Sequence, residues 1–100
     1  MSEGRLRTHV IFFENIDDTQ RTLIHAAIKK HAAAWWHELK DGWVVNSNLK
    51  ANDWSNILLP FVPHPPAAFM VMQLHEGAEW VAAGRAGQFG WIKENRVRRN

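Results

Sequence analysis

Four groups of side chains in this chain have the types that chemistry requires. Glu14 closes the apolar run His9-Val10-Ile11-Phe12-Phe13, where a carboxylate could hold a divalent ion that activates water against a phosphodiester. His37 sits in Ala34-Trp35-Trp36-His37-Glu38-Leu39, and an imidazole beside an RNA backbone can shuttle protons near neutral pH without a metal. Arg5 and Arg7 mark the start of the chain, and Lys93, Arg96, Arg98 and Arg99 crowd its end; such clusters contact phosphates. Six tryptophans in so short a chain could stack nucleobases. Each group also has a plainer role: a strand end reaching solvent, a polar ring packed among aromatics, a solvated basic tail, a core or an interface.

Other chemistries lack their residues. There is no cysteine, which removes disulfides and thiolate metal sites and suits a reducing compartment. His25, His31 and His37 are spaced by six, so a helix spreads them around its circumference instead of stacking them at i and i+4, and no His-Glu-x-x-His occurs. In line with Ile24 and Ile28, His31 reads as a core histidine. Gly84-Arg85-Ala86-Gly87 lacks the Lys-Ser/Thr of a phosphate loop, and no dinucleotide fingerprint is present.

The elements that must position these residues follow from pattern. Arg5 to Glu14 alternates as a strand, with Leu6, Thr8, Val10 and Phe12 on one face and His9, Ile11 and Phe13 on the other. Asp17 followed by Gln20 has the capping-box pattern and starts a helix that runs to about His31 or Ala34; Ile24, Ala27 and Ile28 point inward, and Arg21, His25, Lys29 and Lys30 take the other side. Lys40-Asp41-Gly42 is a turn between two aromatic-flanked strands, Ala34–Leu39 and Trp43–Ser47. That alternation gives His37 the same face as Trp35 and Leu39, and Trp35, Trp43 and Trp54 fall where a core belongs. Lys50 to Leu59 is a short helix stopped by Pro60 and Pro63, and Ala67 to Leu74 is a last strand, apolar on both faces. A further short helix is expected at Trp91-Ile92-Lys93-Glu94-Asn95.

The order β-α-β-β-α-β defines an α+β, ferredoxin-like sandwich: a four-stranded antiparallel sheet, two helices on one face, and a short C-terminal appendage. One hundred residues make one such domain, 1–100, with residues 1–4 and 97–100 expected to be flexible ends. A sheet face that the helices leave uncovered, yet apolar in the first and last strands, is an association surface, so a homodimer is expected unless the appendage folds back over it. No apolar run approaches the roughly 20 residues needed to span a bilayer, and the N-terminal residues lack a signal-peptide pattern, which points to a cytoplasmic protein with no membrane partner. The net charge of +2 makes this no highly basic chain, and the gathering of basic residues at its two ends is more informative than the sum.

From Ala34-Trp35-Trp36-His37-Glu38-Leu39 through Trp43-Val44-Val45, the sequence resembles the small bacterial proteins of the SinR family, which carry a similar Trp-Trp-His hairpin between their helices. Those proteins in turn resemble the CRISPR-associated endoribonuclease family, which forms a ferredoxin-like dimer during spacer acquisition. The likeness extends from His9 to Asn95, mostly as a pattern of apolar positions, and includes the closing Gly90-Trp91-Ile92-Lys93-Glu94-Asn95. In the endoribonucleases the first strand ends in Tyr-Asp, and the Asp of each subunit is implicated in binding a divalent metal at the dimer seam. The matching positions here are Phe13 and Glu14, so the carboxylate is one methylene longer.

The resemblance implies a homodimeric, nucleic-acid-associated protein acting on RNA or DNA as a metal-dependent nuclease. Glu14 would serve as metal ligand and catalytic residue with Mg2+ as cofactor, and His37 is the second catalytic candidate. Arg5, Arg7, Arg96, Arg98 and Arg99 would contact phosphates. Two other functions fit the same scaffold: a non-catalytic interaction or dimerisation module, and a small-ligand-binding domain using the Trp-rich hairpin.

Overall fold

A computed structural model describes residues 5–75 and Gly90. The expected helix at 91–95, Arg96, Arg98, Arg99 and the chain ends 1–4 and 97–100 lie outside the described residues. The elements are β1 (Arg7–Glu14), α1 (Asp18–His31), β2 (Ala34–Leu39), β3 (Gly42–Ser47), α2 (Ala51–Leu58), a 3-10 turn (Leu59–Phe61) and β4 (Ala68–Leu74). They form a four-stranded antiparallel sheet of order β2-β3-β1-β4, with β1 and β3 in the centre. The α+β, ferredoxin-like architecture expected from the sequence is present. No helix among the described residues is long and apolar enough to cross a membrane.

Local chemistry explains where the elements begin and end. Asn15 leaves β1 with φ of 57°, a left-handed conformation that asparagine tolerates better than most residues, and its side-chain amide donates to the Pro66 carbonyl at 3.2 Å. Asp17 then caps α1: its carboxylate accepts from the Gln20 backbone N–H at 2.7 Å, and the Gln20 side chain accepts from the Asp17 N–H at 2.8 Å. The Gln20 amide also donates to the Phe61 carbonyl at 3.0 Å, tying the start of α1 to the 3-10 turn.

The core lies between the helices and one face of the sheet. Ile11 and Phe13 from β1 and Trp43 and Val45 from β3 meet Ile24 and Ile28 of α1 and Trp54 and Leu58 of α2. The Trp54 indole N–H is satisfied inside this core, donating to the Ser47 hydroxyl at 3.1 Å. His31 differs from its expected place: it is exposed at the end of α1, with its ring 6.5 Å from that of Trp54. The inward stripe of α1 is carried by Ile24 and Ile28, and at His31 the helix has reached its last residue beyond the edge of the packed layer.

The opposite face of the sheet splits into two halves. At one end Thr8, Trp36, Val44 and Asn46 are buried, with the Thr8 hydroxyl donating to the Asn46 side-chain oxygen at 2.9 Å. At the other end Leu39, Phe12, Met70 and Met72 are 43%, 40%, 51% and 44% exposed. These four adjoin one another: Leu39 pairs with Gly42, Gly42 with Phe12, and Phe12 with Met70, with Met72 two residues further along β4. Gly42 sits in that row between Leu39 and Phe12, which a Cβ there would meet at 3.4 and 3.6 Å.

Candidate functional site

The ladder of β1 sets where Glu14 points. It alternates with Phe12, Val10 and Thr8, so it lies on the face away from the helices, as the alternation in sequence implies, opposite Ala68 and exposed. Arg7 begins the same strand and its guanidinium donates to the Asn48 carbonyl at 2.7 Å. Seven steps of strand separate Arg7 from Glu14, roughly 23 Å, so the two do not share a site. Arg5 is exposed ahead of the strand.

His37 is on the other face. Trp35 pairs with Val45 and Trp36 with Val44, which puts Trp35 and His37 on the helix side and Trp36 on the open side. A bulge between Trp36 and Leu39 inserts one residue, so Leu39 lands opposite Gly42 and beside Phe12 instead of sharing a face with His37. Glu14 and His37 therefore stand on opposite faces of the sheet and do not meet within one chain.

His37 is the best-anchored of the candidate residues. Its Nδ1 donates to the Gly42 carbonyl at 2.8 Å, leaving the lone pair of the neutral ring on Nε2. The ring stacks on the Trp43 indole at 3.9 Å, tilted by only 4°. His25 stands edge-wise to both, at 4.7 Å from the His37 ring and 5.0 Å from Trp43. Its nearly equal distances place it beside the stack and not on top of it. The His25 Nε2 is buried and has no hydrogen-bond partner. Burial lowers the His25 pKa, and the nearby His37, Lys29 and Arg21 lower it further against a partial opposing pull from Asp41.

Arg21 ties this corner together. Its guanidinium donates to Asp41 at 2.9 and 3.5 Å, to Asp18 at 2.6 Å and to the Ile16 carbonyl at 3.3 Å. It joins α1 to the β2–β3 turn, and these carboxylates raise its pKa, the Asp41 hydrogen bond contributing most. The pairing of His25 with His37 is absent from the linear spacing of the histidines. It arises because α1 lies across β2 and β3, and the available signal was the position of His25 at the border of the Ile24/Ile28 stripe.

Trp35 is the exception among the four described tryptophans. Trp36, Trp43 and Trp54 are buried, whereas Trp35, expected in the core, is 40% exposed on the edge strand β2. The Lys29 ammonium lies over its ring at 5.7 Å.

Among the described residues no three His, Cys, Asp or Glu side chains gather closely enough to hold a metal ion. Glu14 alone does not supply the several oxygen ligands that magnesium takes, so one chain's described residues do not make a magnesium site. No family model, curated protein or solved structure matches the chain at a significant level.

Proposed function

We propose that this chain works as a homodimer that associates with nucleic acid, in the manner implied by its resemblance to the CRISPR-associated endoribonuclease family. The observation that carries this reading is the apolar row Leu39, Phe12, Met70 and Met72, which runs across the sheet on the face the helices leave free. Single exposed apolar residues are ordinary, but four that adjoin on a sheet form an association surface. Its occupant is a second copy, because two-fold self-pairing needs only one such surface and is the commonest closed assembly.

Glu14 supports the nuclease form of the reading. It lies on the same face two residues beyond Phe12, so a seam built on this row carries a carboxylate from each copy. In that arrangement the paired Glu14 side chains would hold Mg2+, which supplies an activated water when bound. The lone carboxylate of the single chain equally suits an interaction module without catalysis, and a cleavage assay separates the two.

The test is the molar mass in solution together with affinity for a labelled single-stranded RNA at about 50 mM salt, where phosphate contacts count most. A dimer that binds is expected. Phe12→Glu or Met70→Glu should yield monomer, since an unpaired charge in the seam costs about 3 kcal/mol or more, roughly a hundredfold in association. A monomeric parent protein, or a dimer indifferent to both substitutions, overturns the interface. Absence of RNA and DNA binding at low salt overturns the nucleic-acid association.

A further inference from the structure

We infer that Trp35 and Lys29 form a stacking site for one base of a single-stranded nucleic acid, on the opposite side of the sheet from the proposed dimer seam. The inference rests on the nucleic-acid reading above and gives it a location. Three observations carry it. Trp35 alone of the four described indoles offers its ring to solvent, at 40% exposure against 5% or less for Trp36, Trp43 and Trp54. It stands on β2, an outer strand of the four-stranded sheet, and within that sheet β3 is its sole neighbour. The cation beside it is already in place: Lys29 reaches over the indole at 5.7 Å, and Lys30 and His31 follow it, exposed, in the last turn of α1.

The chemistry selects the ligand. A flat aromatic surface attracts another flat ring, and every nucleobase has one, so binding by stacking tolerates any sequence. The Lys29 ammonium, over one side of the indole, supplies positive charge for the phosphate that accompanies a base stacked on the ring's other side. A duplex keeps its bases inside and leaves the indole nothing to stack on, which favours a single strand or an unpaired end. The indole's exposure is not a fault of strand parity. Trp35 shares its face with His37, which packs on Trp43, but β2 is the last strand and α1 covers it only as far as His25 and Lys29.

Fluorescence anisotropy of a labelled 15-nucleotide oligo-U tests the site, using the full chain and its Trp35→Ala, Trp35→Phe and Lys29→Ala variants. Trp35→Ala should weaken binding roughly tenfold to a hundredfold, the range of one lost base–aromatic stack, and Trp35→Phe should restore most of it. Lys29→Ala should reduce the slope of log affinity against log salt by about 0.7, as expected for one phosphate contact to a single strand. An otherwise identical duplex should bind more weakly and be unaffected by Trp35→Ala. If the parent protein binds oligo-U and Trp35→Ala and Lys29→Ala bind it equally well, this site is wrong while the nucleic-acid reading stands. If the parent binds neither probe, that reading falls first. Trp35→Phe keeps the packing of the edge strand, so loss of binding in both Trp35 variants with an unchanged melting temperature also counts against stacking.

Discussion

Neither ring nitrogen of His9 has a hydrogen-bond partner, although the side chain is fully buried beside Ile11 on the core face of β1. A buried polar atom left unpaired costs about 1–3 kcal/mol, and a charged imidazole there costs more. Burial accordingly lowers the His9 pKa from the ordinary 6.5, and Arg7 adds to the effect. His25 is shifted the same way. With folded-state values below the unfolded ones, the unfolded chain takes up protons first as pH falls. Stability is therefore full above the unfolded value and declines below about pH 6.5, levelling only once the folded protein also titrates. Urea unfolding at pH 7.5, 6.5 and 5.5 should show this decline, and His9→Phe should make it shallower; an identical pH slope in that variant would remove His9 as a cause. The face of His9 was legible in the alternation of β1. Its isolation was not, because it depends on which side chains the helices bring above it.

At the scale of elements, the start of α1 is the clearest case of sequence and structure agreeing. Asp17 and Gln20 read as a capping box, and both reciprocal hydrogen bonds are formed. Asp17→Ala should lower stability by about 1 kcal/mol, while Asp17→Asn should retain most of it; thermal melts would register the first as a drop of some 4–8 °C. An unchanged melting temperature in Asp17→Ala would mean that water caps the helix equally well. The hairpin was legible for similar reasons, since Asp41-Gly42 and the flanking aromatics are local signals. Elsewhere local pattern was insufficient. The helical period placed His25 outside and His31 inside, but His25 packs edge-on against Trp43, and His31, the last residue of α1, is exposed. The alternation of β2 likewise missed the extra residue before Leu39, because a bulge is fixed by the pairing with β3 and not by the strand's own composition.

For the whole molecule, the fold was legible because its element order leaves few ways to arrange four strands and two helices. The relation between the two candidate catalytic side chains was not, since it needs both strand parity and the lateral order β2-β3-β1-β4. That order puts Glu14 and His37 on opposite sides of the sheet, and a seam on the Glu14 face leaves the His37 of each copy on the far side of its own sheet. Glu14 is the one that lies with the apolar row. If the assembled protein cleaves RNA or DNA in the presence of magnesium, Glu14→Gln should reduce cleavage to background while leaving the molar mass unchanged. Cleavage that survives the substitution would exclude the carboxylate from the reaction, and a parent protein without cleavage would favour the interaction module.

The bulge in β2 has a consequence for how this chain can vary in length. A protein lacking Glu38 would have a regular hairpin, yet Trp35 and His37 would still look toward the helices and Leu39 away from them. Losing Ala34 instead, with Ala33 still bonded to Asn46, would exchange the two adjacent indoles, wetting the buried one and burying the other. Deletions and insertions in this arm are thus tolerable next to the turn and, further back, only in twos.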